Sequence, residues 1–162
     1  MEIGTAIIGL VLIAIVVVPF LMISKGKKSK EKRMLHLLTT EANRVECTIT
    51  EYESCGNIII GIDQEAGMVF FVKVKGDASF SEAVNLAGFQ SCEIVARNRS
   101  RGGASNDSVI DKLELLFRST TSGKADLALE FYNGAENFQL NDELTVMKKW
   151  AKSINNELLI KA

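Results

Sequence analysis

The sequence predicts an α+β protein in which one N-terminal transmembrane helix precedes an antiparallel β-sheet closed by a C-terminal amphipathic helix. Three patterns predict this class. An uncharged apolar run fills Ile3–Ile23, residues alternate between apolar and polar in several segments between Val45 and Phe131, and apolar residues recur every three or four positions over Leu144–Leu158. These patterns are typical of a membrane-spanning helix, of half-buried strands and of a helix with one buried face.

The apolar run is 21 residues long. A helix rising about 1.5 Å per residue would span about 30 Å over that length, the thickness of a bilayer's hydrocarbon core. A basic cluster follows it, made of Lys25, Lys27, Lys28, Lys30, Lys32 and Arg33. Because basic flanks stay in the cytoplasm, we expect residues 1–24 to be a single-pass anchor of the cell (cytoplasmic) membrane with its N-terminus outside. A cleaved signal peptide, the alternative, has its basic residues before a shorter run and a small-x-small cleavage site after it.

Residues 25–44 are predicted to be a basic juxtamembrane segment and a linker helix. Leu35, Leu38 and Ala42 form an apolar stripe, which predicts a helix over residues 30–43. Each Lys or Arg close to anionic lipid contributes about 1 kcal/mol, so the six cations are candidate contacts with the membrane surface. A role in fixing the topology would also account for them.

The remaining residues, 34–162, carry 13 basic and 18 acidic side chains, a net charge of −5. A mildly acidic domain lacks the basic surface that nucleic-acid binding requires, so we expect no nucleic-acid partner. Cys47, Cys55 and Cys92 have no metal-ligand spacing, and His36 is the only histidine. We therefore expect no metal and no cofactor, and thiols that stay free in a reducing compartment.

Residues 45–162 are predicted to form one β-rich domain. Turn signals at residues 63–67 and 121–124 join two pairs of strands into hairpins. In the first hairpin, Phe70 and Val72 are expected to face the core and Lys73 to face away from it. The predicted strands are Val45–Thr50, Asn57–Ile62, Met68–Val74, Ala83–Leu86, Ser91–Arg97, Leu113–Phe117 and Leu127–Phe131.

The C-terminal segment predicts a helix that starts after a cap at Asn141 or Asp142. Its apolar stripe consists of Leu144, Met147, Ala151, Ile154 and Leu158, and Trp150 broadens it. The stripe also fits a coiled-coil seam, but it lasts only about two heptads, which favours packing on the protein's own sheet.

This order of elements resembles that of the bacterial pleckstrin-homology-like domains, in which a C-terminal helix plugs a bent antiparallel sheet or partly open barrel. Three stretches carry the resemblance: Ile60–Asp63 running into Met68–Phe71, the strand Phe89–Val95, and the last hairpin before the helix that contains Trp150. The resemblance implies a binding or assembly module without catalysis. It implies no particular ligand, because a fold does not determine a function.

We find no nucleophile elbow, no phosphate-binding glycine loop and no metal-spaced cluster in the sequence, and we therefore predict no catalytic residue. Glu51 and Glu53 are paired acids without a predicted partner for acid–base chemistry. Arg97, Arg99 and Arg101 would point to one side of an extended chain, beside Gly102 and Gly103. Such arginines suit an anionic headgroup or an acidic partner segment. The alternative is a solvated loop whose charges protect a strand edge.

These observations predict a non-enzymatic, membrane-tethered cytoplasmic module that binds or scaffolds a protein or an anionic lipid at the membrane surface. Tethering raises the local concentration of the domain, so weak contacts suffice. The alternative is a structural subunit of a membrane complex that assembles through the anchor and the C-terminal helix, and a small hydrolase is a third hypothesis. We expect a protein partner, and self-association stays open.

Overall fold

Two antiparallel sheets and two helices make up the part of the chain that the structure describes, which confirms the α+β class. The computed structural model describes residues 28–100, 108–121, 125–136, 140 and 142–161, without the side chains of residues 99, 100, 108 and 109. The elements are helix α1 (described over 28–44), β1 (Glu51–Cys55), β2 (Ile58–Asp63), β3 (Met68–Lys75), β4 (Ala78–Asn85), β5 (Phe89–Ser100), β6 (Ser108–Ser119), β7 (Leu127–Asn133) and helix α2 (Glu143–Lys161). One sheet has the order β1-β2-β3-β4 and the other β5-β6-β7.

The predicted anchor, residues 1–24, lies outside the described residues, as do Lys25 and Lys27. Neither described helix, α1 or α2, is both long enough and apolar enough to cross a membrane.

The predicted strand Val45–Thr50 is wrong, because the first strand begins only at Glu51. Glu46 has a φ of 57°, and the amides of Val45 and Cys47 bond to the Ala42 carbonyl at 3.1 and 3.0 Å, so this segment ends α1. A residue in the left-handed region is a common end of a helix. The amide of Thr48 bonds to a side chain, Oδ2 of Asp63, at 2.7 Å. The alternating residues therefore lie in a helix end and an extended connection.

Both predicted hairpins are confirmed, with β2 paired to β3 and β6 paired to β7. The strand predicted at Ala83–Leu86 is in fact longer and starts earlier, at Ala78, because all of β4 pairs with β3. Its serines and alanines have low β propensity, so the pairing determines the strand. Leu86–Gly88 forms a single turn of 3-10 helix, and β5 then runs three residues beyond the predicted end at Arg97.

The main core lies between the two sheets and α2. Its largest members include Phe71, Phe117, Phe131 and Trp150, all at most 1% exposed. Met147, Ile154 and Leu158 bring the apolar stripe of α2 into this core, which confirms that the helix packs on the protein's own sheets. Nε1 of Trp150 donates to Oε2 of Glu53 at 3.0 Å, which ties α2 to β1.

A second core lies on the other face of the β1–β4 sheet, under α1. Met34, Leu38 and Ala42 of α1 are at most 2% exposed and pack against this face. The sheet side of the contact consists of Ile59, Phe70, Val72 and Val74. Hence β2 and most of β3 are buried on both faces, and the expectation that Lys73 faces solvent is wrong because its face of β3 points toward the second sheet.

Candidate functional site

Four members of the predicted membrane-surface cluster lie on the first turns of α1. Lys28, Lys30, Lys32 and Arg33 are all exposed, and within the described residues none of them forms an ion pair. Nη2 of Arg33 donates to the Asp77 carbonyl in the β3–β4 turn at 3.2 Å. The cations therefore project from a helix that is packed against the domain.

Of the three predicted anion-binding arginines, the structure describes the side chain of Arg97 alone. This side chain is 70% exposed, and its Nε lies 3.4 Å from Oε2 of Glu114. Arg99 is in β5 opposite Val109, and Arg101 is outside the described residues. The register shift between Arg97 and Asn98 places the extra residue in β6, at Asp111, so β5 itself continues from Arg97 to Arg99 without an inserted residue.

An open cleft of about 1370 Å³ lies where the start of α1 meets the β1–β2 turn, the β3–β4 turn and the start of α2. Five acids and two lysines line it, so its charge is net negative: Lys30, Glu31, Glu53, Lys75, Glu136, Asp142 and Glu143. Oγ of Ser54 donates to Oε1 of Glu31 at 3.2 Å, which joins α1 to β1 at this cleft.

Glu51 and Glu53 hold α2 against β1. Nζ of Lys149 lies 2.9 Å from Oε2 of Glu53 and 3.5 Å from Oε1 of Glu51. Hydrogen bonds that Lys149 donates to these glutamates, the one to Glu53 contributing most, raise the pKa of Lys149. These two acids, for which the sequence shows no acid–base partner, thus have structural partners.

A partly buried ion network joins the two sheets. Nζ of Lys73, whose side chain is 10% exposed, lies 2.6 Å from Oε1 of Glu130. Nζ of Lys112 lies 3.0 Å from Oε2 of Glu130 and 2.7 Å from Oε1 of Glu114. Burial raises the pKa of Glu130, but the hydrogen bonds from the two lysines outweigh it and the net pKa is lowered. The network therefore links β3 of one sheet to β6 and β7 of the other.

All three thiols are free and buried. Burial, aided by nearby carboxylates, raises the pKa of Cys55 to about 11 and that of Cys92 to about 12. Since the thiolate is the reactive form, the raised pKa lowers the reactivity of these two thiols.

Sequence reasoning missed the cleft and the sheet face under α1. The cleft is assembled from segments more than 100 residues apart, from Lys30 to Val146, and no local spacing predicts it. The sheet face under α1 could have been predicted from the sequence. Ile58–Ile62 is apolar at every position except the glycine, a pattern typical of a strand buried on both faces.

Among the described residues, no group of three or more His, Cys, Asp or Glu side chains is arranged to hold a metal ion. Comparison of the chain with protein-family models, with curated proteins and with solved structures finds no match.

Proposed function

We propose that this chain is a single-pass protein of the cell membrane whose β-rich cytoplasmic domain is a non-enzymatic binding or scaffold module. In this proposal residues 1–24 are the anchor. The cations between Lys25 and Arg33 contact anionic lipid, and the domain presents the adjacent cleft to a protein partner.

The observation that carries the proposal is the attachment of α1. The helix follows the 21-residue apolar run after a few basic residues. One side of it is buried in the β1–β4 sheet, and its first turns present four exposed cations. A helix docked in this way holds the domain at a fixed position below the apolar run. Each cation near an anionic surface contributes about 1 kcal/mol, an attraction that fades over a Debye length of about 10 Å at 0.1 M salt.

The arrangement of the sheets supports a pleckstrin-homology-like fold for the domain. Seven antiparallel strands form groups of four and three, and a C-terminal helix packs across them. This agrees with the bent sheet and plugging helix that the sequence resemblance implies. In such a fold we expect binding by loops and edges.

The charge of the cleft favours a cationic protein segment over a lipid headgroup as its occupant. Five of the seven charged side chains that line it are acidic. Cytoplasmic segments next to membrane helices are rich in Lys and Arg, so a neighbouring membrane protein would present a segment of suitable charge at this depth. In this proposal the exposed face of α1 makes the lipid contacts.

The tether is tested with reporter cysteines in the full chain, since the native thiols are buried. Glu2→Cys is expected to react with an impermeant maleimide on intact cells. Asn156→Cys, on the exposed side of α2, should react only after permeabilisation. The chain should also stay in the membrane pellet during alkaline carbonate extraction. Release by carbonate, or labelling of Asn156→Cys from outside, would refute the proposed location.

The lipid contact is tested on the same chain with a solvatochromic dye at Ser29→Cys, an exposed position of α1. In reconstituted vesicles the emission should shift to the blue when phosphatidylglycerol replaces part of the phosphatidylcholine, and 1 M salt should reverse the shift. The same dye at Asn156→Cys is the control. Equal emission spectra of the labelled Ser29→Cys chain in both lipids would contradict the proposed contact with anionic lipid.

A further inference from the structure

Strand β4 is an edge of its sheet, and on its outer side it has no strand partner among the described residues. It pairs with β3 over eight consecutive positions, from Lys75↔Ala78 to Met68↔Asn85, without a register shift. Ser79, Ser81 and Ala83 are exposed. The result is a straight edge eight residues long.

The hydrogen bonds at either side of β3 show which backbone groups of β4 face outward. The Leu86 amide bonds to the Gly67 carbonyl at 3.0 Å, and the Val74 amide bonds to the Asn57 carbonyl at 2.8 Å. Hydrogen-bonded and non-bonded pairs alternate along an antiparallel ladder. Residues 80, 82 and 84 therefore bond to β3, whereas Ser79, Ser81 and Ala83 direct their N–H and C=O groups away from it.

This edge lacks the features that prevent strands from pairing. Lysine, proline and bulges are the usual ones, and β4 has no lysine, arginine, proline or bulge. Edge strand β5 of the same protein is protected. Its ladder has two register shifts, and the Asn155 side chain bonds to the amide and the carbonyl of Cys92 at 2.9 and 2.7 Å.

We propose that β4 pairs antiparallel with β4 of a second copy of this chain, about a two-fold axis at Ser81. Ser81 then faces Ser81 of the other copy, and Ser79 faces Ala83. Three outward residues on each strand form about six backbone hydrogen bonds. Glu82, the only charged residue of the strand, faces Phe80 of the other copy, so no two acids are directly opposite.

The symmetry of this pair fits two chains anchored in one membrane, and to that extent the inference rests on the proposed function. Antiparallel pairing of like strands has its two-fold axis perpendicular to the joined sheet. Each α1 packs on the same face of its own sheet, so both helices lie on one side of the eight-stranded sheet. Both N-terminal segments then leave toward the same bilayer. Anchoring also raises the effective concentration of one edge at the other.

The pairing is tested by oxidative cross-linking of full-length Ser81→Cys in native membranes. Opposed residues of a hydrogen-bonded pair have Cα atoms about 5.5 Å apart, which suits a disulfide. The parent chain, whose native thiols are buried, is the negative control. Asn156→Cys measures the cross-linking that arises from random collision. We expect at least about tenfold more dimer from Ser81→Cys than from Asn156→Cys, because pairing supplies an effective concentration that collision does not.

The register has its own test. Ser79→Cys mixed with Ala83→Cys, on differently tagged copies, should form mixed dimers in preference to Ser79→Cys dimers. Ser81→Pro should abolish cross-linking at the mixed pair, since it removes an outward N–H and leaves the bonds to β3 intact. Equal yields from Ser81→Cys and Asn156→Cys would overturn the pairing. Release of the cross-linked dimer by carbonate would leave the pairing standing and overturn the tether.

Discussion

Asp63 connects three segments of backbone at one end of β2. The residue is 6% exposed, and its carboxylate accepts hydrogen bonds from the amides of Ala66 at 2.9 Å and Thr48 at 2.7 Å. These two bonds lower the pKa of Asp63 below its usual 3.8, against the opposing effect of burial. The side chain thus fixes both the β2–β3 turn and the extended connection that follows α1.

Replacing Asp63 by Asn should lower the free energy of unfolding at pH 7 by about 1–3 kcal/mol, because Asn has a single acceptor oxygen and the amide of Thr48 or Ala66 then loses its charged acceptor. The lowered pKa sets the sign of the pH effect. The carboxylate stabilises the fold above its unfolded pKa of 3.8, and this contribution is lost as the pH falls through the folded pKa. Urea unfolding of both proteins should therefore show a difference that shrinks as the pH falls below 3.8.

Asp77→Asn, a change of an exposed turn carboxylate, is the matched control and should leave the unfolding midpoint nearly unchanged. A difference between Asp63→Asn and the parent that is the same at pH 7 and below pH 3.8 would contradict the assignment of the effect to the ionised carboxylate.

At the scale of elements, helix α1 and strand β2 depend on each other through Gly61. A Cβ atom at Gly61 would lie 2.9 Å from Cδ2 of Leu38 and 3.3 Å from the Glu51 carbonyl oxygen. Leu38 is fully buried, so it has little room to move. The glycine therefore allows the helix to approach the sheet closely.

Gly61→Val should displace α1 and destabilise the protein by about 1–3 kcal/mol through overpacking. Leu38→Ala alone should cost about 2–5 kcal/mol through the cavity it leaves. Because the new side chain occupies that cavity, the double variant should be more stable than the sum of the two single effects predicts. Denaturant midpoints and amide exchange in α1 measure this coupling, and strictly additive effects would contradict the close contact.

Elements that local sequence determines could be predicted, whereas segments that depend on contacts with distant parts of the chain could not. The period of α2 and the alternation in the strands of both hairpins are local signals, and the structure confirms the helix and the two strand pairings. Residues 45–50 show the alternation of a strand, but the end of α1 determines their conformation. The reverse holds for β4, where weak strand formers are held by eight pairings with β3.

At the scale of the whole molecule, the β1–β4 sheet is an inner layer with cores on both faces. Sheet β5–β7 and α2 cover one face, and α1 covers the other. The cleft and the ion network around Lys73 depend on this layering, because each joins side chains from segments far apart in the chain. Local sequence patterns therefore predicted the elements, but the cleft residues come together only when the layers pack on one another.

A chain that begins at residue 28 should fold cooperatively, whereas one that begins at residue 45 should not. Removal of α1 exposes Ile59, Phe70, Val72 and Val74, an apolar face of the kind that leads to aggregation. Solubility, near-UV circular dichroism and a cooperative urea transition distinguish the two fragments. A peptide of residues 28–44 added to the shorter fragment should restore its fold. A cooperative transition of the shorter fragment alone would show that α1 is dispensable for folding.

The packing of α1 on strands that follow it in the chain has a consequence for biosynthesis. The helix leaves the ribosome before its binding face exists, because that face is complete only when β3 ends at Lys75. At about 5–20 residues per second, the apolar side of α1 waits on the order of seconds for its partner. With residues 1–24 as the proposed anchor, α1 would lie beside the membrane during that interval, and the bilayer interface would be its nearest apolar surface. Completion of the domain would then transfer α1 from lipid to sheet, so that the proposed membrane insertion and the folding of the domain would be coupled.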